Sequence, residues 1–381
     1  MLLKSLRLSQ FRNWSALNLD VEPGLTLIVG PNGAGKTNLL EAVTLASCGA
    51  SLRGAETDHM IQWGQRSGMI RAIFEAQSGP ADVQVKLKPG RAREIRVDSA
   101  LVRLRDLVGR VPVVTFVPDD LTLIKGEPEA RRRSLNMVLC QVDRSYMESV
   151  RSYQEALRQR NAVLRSMARE GRDEDPSLDA WEEGLVRHGL VVMKARAAMI
   201  SELGPEVQTF YEGLSNERGT VAIHYRPSVE CPEDEEAGAF WRQRLRALRR
   251  QELILGATSL GPHRDDLELS LDGHASRSFS SQGEQRTVAL AFKFAQASYL
   301  EKETNEPPLF LLDDVLSELD ESRRGRLVEF VTQGNQCLVT LANLDAWSGP
   351  EPKIIHLSHR ASDFSRVLEH DPTTSSREVV G

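Results

Sequence analysis

Two short stretches carry residue types at spacings that do phosphate chemistry. "GPNGAGKT", residues 30–37, has the form G-x-x-x-x-G-K-[ST], follows the apolar run "LTLIV" and opens a helical pattern. In such a loop Gly30, Pro31, Asn32, Gly33, Ala34 and Gly35 turn backbone N–H groups inward around phosphates. Lys36 adds a point charge at the β/γ oxygens of ATP, and the Thr37 hydroxyl is placed to hold Mg²⁺. "LFLLDDV" ends an apolar run in two carboxylates, Asp313 and Asp314. Adjacent acids in that position are costly unless a cation or water meets them. Asp313 is therefore expected to anchor the Mg²⁺ shell, and Asp314 to orient or deprotonate an attacking water. Lys36 and Asp314 are the expected catalytic groups, with ATP and Mg²⁺ as cofactors.

A third stretch, "SFSSQGEQRT" (residues 278–287), stands just before the apolar-periodic "VALAFKFAQASYL". Ser281 and Glu284 have the spacing of a capping box, in which each side chain satisfies the other residue's orphan N–H. A helix N-terminus carrying Ser281 and Gly283 also favours a phosphate, so cap and ligand site both remain open on this stretch alone.

The elements that must position these residues can be read from periodicity. "LLKSLRLSQF" and "LNLDVEPGLTLIVG" alternate or run apolar with turn residues between, and residues 66–117 again read as strands with Gly and Pro turns. From residue 129 to 214 apolar residues fall at three- and four-residue spacing, as in Leu135, Val138, Leu139 and Val142. "GRDEDPS" breaks the segment into a helical hairpin. Neither helix can exceed about 40 residues, or some 60 Å, which excludes a long coiled-coil arm. "RPSVECPEDEEAG" reads as a surface linker, residues 240–255 as an arginine-rich helix, and "TSLGPHRDDLELSLDG" as a strand. Beyond the capped helix come strand, helix and strand.

The expected fold class is α/β with two lobes. A discontinuous ATPase lobe takes residues 1–128 and 256–370, a helical lobe takes 129–255, and the tail 371–381 is expected to be disordered. At 381 residues the chain is long enough for both. Cys48, Cys140, Cys231 and Cys337 are scattered singly, which fits neither a disulfide framework nor a CxxC metal site. No secretory h-region opens the chain and no apolar run approaches the roughly 20 residues that cross a bilayer, so a cytoplasmic location is expected. The net charge of −6 argues against a generally basic coat, yet arginines cluster at residues 91–96, 103–105, 131–133 and 242–250. Those clusters leave a basic stripe available for DNA, held through phosphates and sensitive to salt. No zinc finger, RRM or helix-turn-helix signature suggests base readout.

The order of the motifs is informative. A phosphate loop near the start, a Ser-x-Gly-Glu helix cap some thirty residues before Asp313, and "SELD" directly after the acids resemble the ABC-type ATPases, whose signature has the form S-G-G-Q. The closer resemblance is to the RecF family. It is carried by "LSQFRNW", "GPNGAGKTNLLEAV", "DDLTLIKGEPEARRRSLN", "YQEALRQRNAVL", "TSLGPHRDDLELSLDG", "SSQGEQRTVALAFKFA" and "LFLLDDVLSELD", in collinear order across nearly the whole chain. The resemblance implies a P-loop ABC ATPase head-like lobe with a mixed sheet, plus a helical second lobe. It also implies an ATP-dependent homodimer in which Ser281 and the N–H groups near Gly283 face a γ-phosphate held by the other subunit. Further implications are DNA binding at gaps and junctions, weak ATP hydrolysis, a place in DNA repair, replication and the SOS response, and the partners RecR and RecO in loading RecA on single strands.

Some positions depart from the ABC pattern. Glu284 stands where the signature has Gln, Asp314 replaces the glutamate common in transporters, and the switch histidine is missing from "QCLVTLANLDAW", where Thr340 or Asn343 is the available substitute. One methylene less on the base implies slow turnover, suited to a timed clamp. Arg12 and Asn13 of "FRN" either approach the nucleotide or make a surface turn. An ABC transporter subunit would normally need the absent histidine, and an SMC or Rad50 head would need coiled-coil arms of hundreds of residues.

Overall fold

A computed structural model describes the chain apart from residues 50–55, 78, 108, 216–218, 233–235, 276–280, 345, 346, 348, 360–364, 372, 373 and 379–381. Two compact units result: Met1–Thr122 together with Lys293–Gly381, and Leu123–Phe292. Among the described residues no helix is long and apolar enough to cross a membrane.

The first unit contains two sheets. β1 (Leu2–Phe11), β2 (Trp14–Asp20), β4 (Gly68–Ala76), β5 (Gly79–Leu87), β6 (Glu94–Val97) and β7 (Ala100–Val102) pair antiparallel in the order β2-β1-β4-β5-β6-β7. Their side chains alternate: Ala81, Val83, Val85 and Leu87 of β5 are buried, while Asp82, Gln84 and Lys86 are not. One face of the sheet is thus apolar, as antiparallel sheets allow. The second sheet is mixed. β3 (Leu25–Val29), β8 (Val113–Phe116), β12 (Leu309–Asp313), β13 (Cys337–Leu341) and β14 (Lys353–His359) run parallel in the order β14-β3-β13-β12-β8. Outside β14 lie the antiparallel β15 (Ser365–Asp371) and β16 (Thr374–Glu378). β16 falls within the tail expected to be disordered, the rest of which lies partly outside the described residues. Strand pairing is made by main-chain hydrogen bonds, so a polar run such as "TSSRE" can extend a sheet edge.

The parallel strands β12 and β13 are buried at every position, which explains their unbroken apolar runs. Helix α1 (Lys36–Cys48) belongs to one core with both sheets. Its Leu39, Leu40, Val43 and Ala46 pack with Leu3, Phe74 and Val83 of one and Ile28, Leu311 and Leu338 of the other. A helix buried nearly all round needs apolar residues nearly all round, and each buried leucine contributes about 1.5–3 kcal/mol. The short α2 (Leu104–Leu107) follows β7.

The second unit is mainly helical: α3 (Pro128–Val142), α4 (Arg144–Glu170), α5 (Ser177–Leu214) and α6 (Ala237–Leu255), with a small sheet of β9 (Val221–Arg226), β10 (Asp266–Leu271) and β11 (His274–Ala275). Asp143 separates α3 from α4 and caps the latter, accepting from the N–H groups of Ser145 and Tyr146 at 2.7 and 3.0 Å. Gly171, in the left-handed region at φ 65°, ends α4 and lets the chain return as α5. Buried Arg160 of α4 is held between Glu182 of α5 and Glu252 of α6, at 2.9 and 2.7 Å. Only the second half of "TSLGPHRDDLELSLDG" is strand; residues 258–265 form a loop. There Gly261 has φ 126°, and a Cβ at that position would lie 2.3 Å from the Tyr153 hydroxyl. Helix α7 (Gln282–Thr304) runs from the second unit into the first, and α8 (Glu321–Thr332) lies between β12 and β13 in the chain.

Candidate nucleotide-binding site

The site is built where three neighbouring parallel strands end. β3 leads into residues 30–35 and then α1, while β12 and β13 deliver Asp313 and Thr340, which stand opposite each other in register. Gly35 is the residue before α1, in the left-handed region at φ 94°. A Cβ there would meet the Asn13 side chain at 2.5 Å, so the position demands glycine twice over. Asn13 is fixed in turn by the Asn38 amide, which donates to its Oδ1 at 2.7 Å. Arg12 turns the other way. Its guanidinium forks onto both carboxylate oxygens of Glu41, at 2.8 and 3.0 Å, and donates to the His59 carbonyl at 2.7 Å. Of the "FRN" pair, Asn13 therefore stands against the loop and Arg12 braces it. Glu41 is fully buried on α1. The signal for its role was one acid inside the apolar run "LLEAVTLA".

Lys36, at the first turn of α1, donates back to the carbonyls of Gly30 and Pro31 at 2.7 and 3.2 Å, spanning the loop. Burial holds its ammonium below the ordinary lysine value, against the opposing pull of Asp314 and Asp313. Thr37 Oγ1 donates to Asp313 Oδ1 at 2.9 Å, joining residues 276 positions apart. The same carboxylate oxygen receives the Thr340 hydroxyl at 2.9 Å, and Thr340 Oγ1 accepts the Asp314 N–H, also at 2.9 Å. Of the two residues available in place of a histidine, Thr340 reaches the acids, while Asn343 is exposed.

Asp314 leaves the strand in the left-handed region, at φ 52°. That conformation costs a non-glycine residue on the order of 1 kcal/mol and turns the side chain out of the strand direction. Burial raises the Asp314 carboxyl from its ordinary value, Lys36 opposes that shift, and the negative Asp313 adds to it. A raised pKa makes a better proton acceptor. Ser317 of "SELD" donates to the Asp314 carbonyl at 2.7 Å, and Asp320 caps α8 by accepting from the Arg323 N–H at 3.0 Å.

Ser281 and Glu284, in the second unit, form the full capping box. The Ser281 N–H donates to Glu284 Oε2 at 2.6 Å, and the Glu284 N–H donates to Ser281 Oγ at 3.2 Å. Gly283 lies in the first turn of α7, and residues 278–280 lie outside the described ones. The arginine clusters divide. Arg131 is internal, forking onto Asp266 at 2.7 and 2.9 Å and donating to the carbonyls of Leu123 and Gly126. It is thus a structural residue, because its charge and donors are consumed within the second unit. Arg242, Arg246 and Arg249 pair with acids of α5, whereas Arg244 and Arg250 are exposed.

The donor set fits a nucleoside triphosphate with one divalent ion. A glycine-opened loop ahead of a helix N-terminus suits phosphates. Among the described residues no three His, Cys, Asp or Glu side chains gather as a metal cage. A hydroxyl and one carboxylate suit Mg²⁺, which takes its remaining ligands from phosphate and water.

Known proteins bear on this geometry. The model of the RecF/RecN/SMC N terminal domain matches residues 2–349. The DNA replication and repair protein RecF of Moorella thermoacetica is 36% identical over 338 residues, 89% of each chain. The RecF of Acidothermus cellulolyticus is 38% identical over 350 residues, 90% of this chain and 94% of that one. A solved structure of the recombination mediator protein RecF-ATPrS in the RecFOR pathway superposes with a TM-score of 0.85 at 28% identity, covering 96% of this chain and 98% of that one. An SMC head bound to the C-winged helix domain of ScpA shares the fold, with a TM-score of 0.56 at 16% identity. With collinear motifs, a family model across most of its length and relatives of this identity, the chain belongs to the RecF family.

Proposed function

We propose that this chain is an ATP-switched DNA-binding protein of repair and replication restart. On this reading it dimerises on ATP, binds DNA at gaps and junctions, and helps to load a recombinase on single strands, with RecR and RecO as partners in the cytoplasm. The observation that carries the reading is the Thr37–Asp313–Thr340 hydrogen-bond network. It brings the end of the phosphate loop and the acid pair to one point at the ends of β3, β12 and β13. Support also comes from relatives named as DNA replication and repair proteins and from a solved relative named for its ATP complex.

In this mechanism Lys36 exchanges the carbonyls of Gly30 and Pro31 for β/γ oxygens, and the loop N–H groups hold the remaining phosphate charge. Thr37 and Asp313 would hold Mg²⁺, which would neutralise charge on the phosphates. Asp314 orients the attacking water and accepts its proton. The N-terminus of α7, with Ser281 and Gly283, closes on the γ-phosphate of a second copy, so that hydrolysis in the composite site releases the dimer. Slow turnover then sets the lifetime of the clamp on DNA. Light scattering with and without ATP, followed by gapped DNA, tests the reading. We expect a doubling of mass with ATP and salt-sensitive DNA binding by the dimer; a chain that binds ATP yet stays monomeric on gapped DNA would sink it.

A further inference from the structure

The "RRR" run and the "GPHRDD" loop meet at a cavity of about 460 Å³ inside the second unit, between α3, α4, α5 and the loop of residues 258–265. Its size is that of a small-ligand site. One wall is cationic. Arg132 and Arg133 come from α3 and Arg196 from α5, and the one carboxylate among the described residues lining the cavity is exposed Glu129.

Hydrogen bonds within the wall take up the acceptors of Asn136 and Asp265, while exposed Glu129 and Gln154 keep theirs at the rim. Asn136 Oδ1 is taken by the Tyr146 hydroxyl at 2.5 Å and by Arg196 Nη2 at 3.0 Å, so its amide N–H₂ is what it offers the cavity. Buried Asp265 is spent on the Tyr225 hydroxyl and on the Ser228 N–H at 2.7 Å, and lies 4.0 Å from Arg196, whose charge it offsets. Arg132 donates to the Asp265 carbonyl at 2.7 Å, and Arg133 is exposed; neither has an ion pair among the described residues. Burial, with Arg196 beside it, holds the Arg132 guanidinium below its ordinary value, against the weaker opposing pull of Asp266, Glu129 and Asp265. The apolar part of the lining is made by Val150 and Leu157 of α4, Val192 of α5 and Pro262.

We propose that this cavity is a second anion site, taking the 5′-phosphate of a nucleotide with its phosphate on Arg132 and Arg133 and its sugar and base along the α4–α5 wall. A phosphate alone would leave the apolar lining uncovered, and an apolar ligand would leave the arginines unpaired. Planar guanidinium forks match phosphate oxygens. The site is separate from the phosphate loop and does not rest on the ATP switch.

The test uses the full chain carrying Lys36→Met, which disables the first site, and calorimetry with a 5′-phosphorylated dithymidine dinucleotide. That probe is too short to join separate arginine clusters. The phosphorylated dinucleotide should bind about tenfold or more tighter than its unphosphorylated form, the scale of one charge-assisted contact. Arg133→Gln, at an exposed side chain whose loss leaves no buried partner, and Arg132→Gln should each abolish that preference, while Arg250→Gln should keep it. Thymidine 5′-monophosphate separates the sources. Binding as tight as the dinucleotide supports the site and assigns it to free nucleotide, whereas tenfold weaker binding supports it and assigns it to a strand end. Equal binding with and without the phosphate, an unchanged preference in Arg133→Gln and Arg132→Gln, or inorganic phosphate binding as tightly as the dinucleotide would overturn the assignment.

Discussion

Asp314 combines a left-handed backbone, a partly buried carboxyl and a like charge beside it. Each of these costs stability, which supports the catalytic role proposed for it. Asp314→Asn keeps the shape and removes the proton acceptor. ATP hydrolysis should fall about a hundredfold or more, within the range of a general base, while ATP affinity is retained. Its stability should show the sign of a raised carboxyl pKa. The parent bears the cost of an unfavourable charge above the folded pKa and is relieved of it as the group protonates. Asp314→Asn should therefore melt higher than the parent near pH 7, with the difference shrinking as pH falls through the carboxylate range, as thermal melts at several pH values would show. Parent-like hydrolysis in the variant would remove Asp314 from the role. That Thr37 and Asp313 would come together was legible in the sequence, because the two motifs that carry them have fixed local spacing. Thr340 was legible only as one of two alternatives with Asn343, between which strand register decides, and Glu41 was not, because one acid in an apolar run has no spacing to reveal its partner.

Elements of the second unit are joined by buried polar groups as well as by apolar surface. His263 shares a hydrogen bond of 2.6 Å between Nδ1 and the Tyr153 hydroxyl and donates from Nε2 to the Thr258 carbonyl over 3.1 Å. Burial lowers its pKa from 6.5 to about 4. Because the folded value is the lower one, the unfolded chain takes up a proton first, and stability is lost as pH falls through that window. His263→Gln, which can still accept and donate, should flatten the acid limb of a denaturation profile between those values; an unchanged limb would assign it to other groups. Arg131 makes the matching point for α3 and β10. Arg131→Ala strands Asp266 and two carbonyls and should cost on the order of 2–4 kcal/mol in chemical denaturation, whereas Arg244→Ala and Arg250→Ala should lie within about 0.5 kcal/mol of the parent. If arginines guide DNA, the exposed ones are the place to look, and DNA titrations at two salt concentrations with Arg244→Glu and Arg250→Glu would show it. The helical periodicity of α4 and α5 was readable because each buries one stripe. The loop at residues 258–265 reads as strand although its "GP" at residues 261–262 is a turn signal, and there Gly261 takes φ 126°.

At the scale of the whole molecule the proposed dimer makes its own prediction. Ser281→Arg loses the Ser281 half of the capping box, at a cost of about 1 kcal/mol, and leaves the phosphate loop of the same chain intact. ATP affinity should be near normal, while ATP-induced dimerisation and hydrolysis are lost. Mixing this variant with Lys36→Met allows a heterodimer with one sound site, so hydrolysis should partly recover in a coupled assay; no recovery from soluble, folded mixtures would argue against a composite site. The first unit is also discontinuous in the chain. Both neighbours of β3 in its sheet, β13 and β14, come from the last part of the sequence. A ribosome making about 5–20 residues per second exposes β3, with its row of unpaired backbone groups, tens of seconds before either neighbour emerges. The second unit, contiguous from Leu123 to Phe292, can complete itself in that interval. Synthesis of this protein therefore carries a built-in wait: a nascent chain stalled before residue 337 should present an open strand edge to chaperones and proteases, however sound the finished protein is.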